Sequence, residues 1–129
     1  MNELYNTVSS VGNYDNIPTS LTSNTSVVNM IEGLTLLKEA DKQNWSDGYL
    51  TYKITLDNTT DKSYDNPVIT DVIDNNLIDF VEDSVIINDV KADASKYNYD
   101  SDKHTLKITL DKVDASSKVT ITFNVKKKI

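Results

Sequence analysis

The sequence predicts an all-β fold, an antiparallel β-sandwich carrying an N-terminal extension. Three observations lead there. Tyr49 to Asp57 alternate with period two, which sets Leu50, Tyr52, Ile54 and Leu56 on one side of a strand. The stretches HTLKITL and KVTITFNV alternate in the same way, with Leu106, Ile108 and Leu110 inward in the first and Val119, Ile121, Phe123 and Val125 inward in the second. Turn residues separate such stretches at short intervals, as several short strands of a sandwich require.

Size and composition bound the rest. The 129 residues suffice for one domain with a modest core and one extra segment, and two domains would be hard to fit. Only three Gly and two Pro are present, so Asn and Asp must supply the turns. A net charge of −7, with every cation a Lys, argues against nucleic acid or an anionic membrane as partner. No cysteine is present, which excludes disulfides and thiol chemistry. The first residues lack a basic start and an apolar run, so no signal peptide is expected in this chain. No stretch approaches the ~20 apolar residues of a spanning helix.

In chain order, residues 1–25 are read as a polar arm and 26–129 as the sandwich. The arm is rich in Asn, Ser, Thr and Asp, with Leu4, Tyr5, Val8, Val11, Tyr14 and Ile17 as its scattered apolar residues, and cannot build a core of its own. One extended piece around Glu3 to Val11 fits the edge of a sheet. SVVNMIEG reads as a strand or lead-in that ends at Gly33, and LTLLKEAD as the strand after it. Asp47-Gly48 turns the chain into the alternating strand, which stops at Asn58-Thr59-Thr60-Asp61. Asp65-Asn66-Pro67 precedes VITDVI, and Asp74-Asn75-Asn76 follows it as a turn. Phe80 and Val81 suggest a short strand, Ser84 to Asn88 a fuller one, and Asn88-Asp89 a reversal. YNYDSDKH reads as a turn-rich approach. HTLKITL and KVTITFNV are expected to pair with each other across DKVDASS.

Three strands each place one polar residue on the apolar side. Lys38 shares parity with Leu34 and Leu36, Asn58 with Ile54 and Leu56, and Asp71 with Ile69 and Ile73. Burying all three unpaired would cost several kcal/mol, so they are expected to meet or to escape. If they meet, burial favours a neutral Lys38 amine and a protonated Asp71. The amine can then attack the Asn58 amide while Asp71 polarises its carbonyl and carries the proton as ammonia leaves. The product is an intramolecular isopeptide bond, formed once without turnover. In the alternative, Asn58 turns its amide into the following turn while Lys38 snorkels to the rim and pairs with Asp71. Asn124, the rival acceptor, has outward parity.

Other constellations are weaker. Asn98, Asp100 and Asp102 alternate as calcium ligands do, but no Gly and no downstream Glu sit where such a loop needs them, so turn chemistry is expected and no metal. His104 is the single histidine, with the parity of Leu106 at a strand start, and has no Cys or triad Ser beside it. No cofactor is expected. Trp45 is expected to cover one end of the sandwich.

The order LTLLKEAD, then Gly48 followed by Tyr52-x-Ile54-Thr55-x-x-Asn58-Thr59, then VITDVI, SVIIND, the Tyr97-x-Tyr99 and TLKITL pair, and KVTITFNV resembles the DUF11 family of bacterial surface repeats. The resemblance spans roughly Leu34 to Lys126. Two positions depart from the family pattern: Val72-Ile73-Asp74 stand in place of its usual Leu-Pro, and Thr59 in place of its Gly. The resemblance implies an Ig-like sandwich of about seven strands, used outside the cell or on spores; similar members include subunits of ribbon-like clostridial spore appendages.

The function expected from these readings is structural. A single sandwich with a polar arm suits a subunit that assembles with its own copies into an extracellular fibre, spore appendage or surface layer, by head-to-tail strand addition through Leu4, Tyr5, Val8 and Val11. The alternative is an adhesive module whose loops or Trp45 contact a glycan or host protein. A turnover enzyme is not expected, because no cluster of acid, base and nucleophile is visible.

Overall fold

The computed structural model describes residues 2–74 and 76–128, without the side chains of 2 and 28–30. It is all-β, and its only helical piece among the described residues is one 3-10 turn. The chain divides into two compact units, Met1–Glu32 and Gly33–Ile129.

The first unit is a two-stranded ribbon made of β1 (Asn2–Asn6), β2 (Ser9–Tyr14), β3 (Ile17–Thr22) and β4 (Ser26–Met30). Its tip is set by Asp15 and Asn16, whose φ angles of 52° and 62° give the mirror-image turn that matches the twist of a tight hairpin. Tyr14 and Ile17 close that turn, and β2 pairs with β3 as far as Ser9 opposite Thr22. Below a short interruption β1 pairs with β4, from Asn6 opposite Ser26 to Asn2 opposite Met30. The interruption is bridged by Ser23, whose N–H donates to the Val8 carbonyl at 2.9 Å and whose Oγ accepts the Val8 N–H at 3.1 Å. The expected boundary at residue 25 therefore moves. Residues 26–30 turn back onto 2–6 instead of leading into the sandwich, so the ribbon unit ends at Glu32.

The second unit holds β5 (Leu34–Ala40), β6 (Tyr49–Asn58), β7 (Tyr64–Asp65), β8 (Val68–Val72), β9 (Ile78–Phe80), β10 (Ile86–Ile87) and β11 (Val90–Lys91). The 3-10 turn Ala94–Lys96 leads to β12 (Tyr97–Asp100), β13 (Thr105–Thr109), β14 (Lys112–Val113) and β15 (Ser117–Lys127). These exceed the seven or so strands expected, the excess being the two-residue ladders β7, β10, β11 and β14. The larger sheet runs β11-β10-β15-β6-β5, with β9 also on β15; the smaller runs β12-β13-β8; β14 pairs with β7. All described pairings are antiparallel.

The core is built by the inward parity of both sheets. Leu50, Ile54 and Leu56 of β6 and Val119, Ile121, Phe123 and Val125 of β15 are buried from one side, Ile69 of β8 and Leu106 and Ile108 of β13 from the other. Aromatic contacts join the layers, with Phe80 stacked on Tyr99 at 5.0 Å and tilted against Phe123 at 6.1 Å. Desolvation in this packing raises the pKa values of Tyr97 and Tyr99. Trp45 packs partly buried against the same core.

Several local expectations change. HTLKITL and KVTITFNV do not pair with each other: β13 sits between β12 and β8, while β15 pairs with β6, β9 and β10. DKVDASS therefore connects the two sheets, with Lys112–Val113 pinned to Tyr64–Asp65 on the way. YNYD is a strand, because Tyr97 and Tyr99 supply packing that outweighs the weak strand preference of Asn98 and Asp100. His104 is a turn residue with φ 53°, whose carbonyl accepts the Ile73 N–H at 2.8 Å. Ser84 to Asn88 holds only the two-residue β10, but the Asn88-Asp89 reversal is present, with φ angles of 50° and 67°. The middle of the Asp74-Asn75-Asn76 turn lies outside the described residues; Asp74 accepts the Ile78 N–H at 3.1 Å beside it.

Phe123 is fully buried and joins Tyr52 and Phe80. Phe123→Ala should lower the unfolding free energy by about 3–5 kcal/mol, read by chemical denaturation.

Candidate functional site

β5 and β8 lie at the same open side of the sandwich, and Lys38 and Asp71 meet there. The Lys38 Nζ donates to Asp71 Oδ1 at 3.1 Å, while Oδ2 lies 2.8 Å from the ammonium as an ion pair rather than an aligned hydrogen bond. Asp71 is buried, with 7% of its side chain exposed, whereas Lys38 keeps 44%. The ammonium stands 4.3 Å above the centre of the Tyr52 ring, an attraction to the aromatic face that adds to the pair. The lysine stem thus runs along apolar surface and brings its charge to the rim, where water remains.

Asn58 is elsewhere. In the β5–β6 ladder Lys38 faces Ile54, and Asn58 faces Leu34, four residues along. Four residues at about 3.4 Å each set the two backbones about 14 Å apart along the sheet, and the Lys38 Nζ is directed to Asp71 instead. The Asn58 amide is also fully engaged. Its Nδ2 donates to the carbonyls of Lys62 at 2.8 Å, Val113 at 3.2 Å and Asp114 at 3.2 Å. Its Oδ1 accepts the Thr60 N–H at 3.0 Å and the Thr60 hydroxyl at 2.6 Å. The structure therefore brings Lys38 and Asp71 together without Asn58, and a Lys38–Asn58 isopeptide bond with Asp71 as its catalyst does not match this geometry. Asn58 instead ties the turn after β6 to the end of β14. Asn124, opposite Thr51, accepts that residue's hydroxyl at 2.7 Å and lies outside the core, as its parity indicates.

The arm residues fall on the ribbon. Leu4, Tyr5, Val8 and Val11 are all exposed, Val11 to 82%. Tyr5 donates its hydroxyl to the Glu3 carboxylate, and that hydrogen bond raises its pKa. Tyr14 and Ile17, also read as arm residues, are exposed on the same ribbon, whereas sequence reasoning missed that Leu21 and Val27 belong to it and that its strands pair as a hairpin. The overlooked signal was Tyr14-Asp15-Asn16-Ile17, a two-residue turn of residues that accept positive φ between two β-favouring ones.

Asp100 serves turn chemistry, its Oδ1 accepting the N–H groups of Asp102 at 2.9 Å and Lys103 at 3.2 Å. Among the described residues no group of three His, Cys, Asp or Glu could hold a metal ion, and no helix is long and apolar enough to cross a membrane. Comparison of the chain with protein-family models, curated proteins and solved structures finds no match.

Three outcomes check this site. Asn58→Ala should cost about 2–3 kcal/mol, since it strips partners from buried carbonyls. Lys38→Met should cost about 3 kcal/mol, because it leaves the buried Asp71 carboxylate without its cation, and adding Asp71→Leu should restore most of that loss. The intact mass of the folded protein should equal that of the sequence, with no ammonia lost.

Proposed function

We propose that this chain is a structural subunit that assembles with copies of itself, using the ribbon of residues 2–30 as its connecting element. The observation that carries the reading is the ribbon itself: a defined two-stranded element whose large apolar side chains Leu4, Tyr5, Val8, Val11, Tyr14, Ile17 and Leu21 are all exposed. A lone two-stranded hairpin is marginal in water, and each such side chain gains about 1.5–3 kcal/mol when fully buried. The composition supports the same reading, because residues 2–30 carry only Glu3 on a strand and Asp15 in the turn as charges, and no Lys or Arg that would oppose packing.

A contact between the ribbon of one subunit and a different surface of the next is heterologous and need not close, so it yields an open fibre or layer. The resemblance to surface repeats supports a place of use outside the cell or on a spore. Negative-stain microscopy and sedimentation test this. The full chain should form filaments or large oligomers, and the chain lacking residues 2–30 should remain a folded monomer. An unchanged size distribution after the deletion would refute the proposal.

A further inference from the structure

Among the described residues, β5 leaves its core-side face exposed. On β5, Leu36 faces Leu56 in the ladder and so points to the core side, yet 62% of it is exposed. Nothing in the smaller sheet lies over it, because that sheet ends at β8. Between β5 and β8 runs a groove of about 190 Å³ with Leu36, Lys38, Ile54, Ile69 and Asp71 along it. β8 also has a free edge. The bonds joining Ile73 to His104 and Leu110 to Pro67 fix which residues of β8 bond to β13, and strand alternation then leaves the N–H and C=O groups of Val68, Thr70 and Val72 pointing the other way. A further strand beside β8, about 4.8 Å away, would lie over the inner face of β5.

We infer that this gap accepts the ribbon of a second copy, whose β2 pairs with the free edge of β8 and completes the smaller sheet. The inference rests on the self-assembly reading and names its acceptor. The ribbon supplies what the gap lacks. In the hairpin Tyr14 bonds to Ile17 and Ser23 to Val8, so the backbone groups of Ser9, Val11 and Asn13 point to the outer edge of β2. The opposite edge is blocked, since Pro18 has no N–H to offer there. One hairpin face carries Tyr14, Ile17 and Leu21 around Gly12, where a Cβ would meet nothing within 4 Å. That apolar face covers Leu36. The other face puts Val11 beside the exposed Val68 and Val72 on the outside of β8. β2 has six residues and β8 five, so the lengths match.

Proline at an edge position whose N–H points outward keeps the subunit's own ladder and blocks a new one, which gives paired variants. Val11→Pro removes the donor edge and Thr70→Pro the acceptor edge. Each alone should stay monomeric in sedimentation with an unchanged circular dichroism spectrum, whereas an equimolar mixture should form one-to-one dimers and stop. Ser20→Pro, on the already blocked edge of β3, should assemble like the unaltered protein. Leu36→Lys, at an exposed position, should weaken assembly without disturbing the fold and serves if a proline variant fails to fold. If filaments require residues 2–30 but Thr70→Pro and Leu36→Lys polymerise unchanged, the acceptor assignment is wrong and self-assembly stands. If the full chain never assembles, both fall.

Discussion

The pairing of β6 with β15 is the constraint on which the second unit depends. Ten residue pairs run from Tyr49 opposite Lys126 to Asn58 opposite Ser117. Because side chains alternate, this one register places Leu50, Ile54, Leu56, Val119, Ile121, Phe123 and Val125 on the same face and makes it the floor of the core. A slip of one residue would turn that whole set to solvent. The remaining strands of the larger sheet, β5 on one flank and β9 and β10 on the other, take their positions from this pair.

Polar groups on the apolar side are handled in two physically different ways. Asn58 is fully buried and tolerable because its amide and carbonyl both have several partners, which makes it a clamp between a turn and a distant strand. Asp71 is nearly as buried but relies on Lys38, whose ammonium sits between the carboxylate, the Tyr52 face and water. The first arrangement is rigid and closed. The second lies at the open side of the sandwich, where one more strand would alter its surroundings. The same chain carries a ribbon whose large apolar side chains are exposed and a core-side residue of β5, Leu36, that is exposed as well.

Much of this was legible beforehand. Period-two alternation alone identified the inward residues of β6, β13 and β15, since each lies in a strand with one buried face. Asn88-Asp89 as a reversal followed from the residues that accept positive φ. The parity of Lys38, Asn58 and Asp71 was also right, but parity places a residue on a face and says nothing of its height along the strand. That missing coordinate is why Lys38 met Asp71 and not Asn58. The pairing of HTLKITL with KVTITFNV failed for a related reason, because both have the same pattern and only packing assigns them to opposite sheets.

By itself the amino-acid sequence determined the class of fold, the inward residues of the longest strands and the absence of thiol chemistry, because these depend on local periodicity and composition. Tertiary structure alone decided that residues 26–30 return to the ribbon, that Asn58 is spent on backbone carbonyls, and that β5 is left uncovered beside the free edge of β8. Each of those is set by which distant strands pair and in what register, and long-range pairing is chosen by the burial of the whole chain at once.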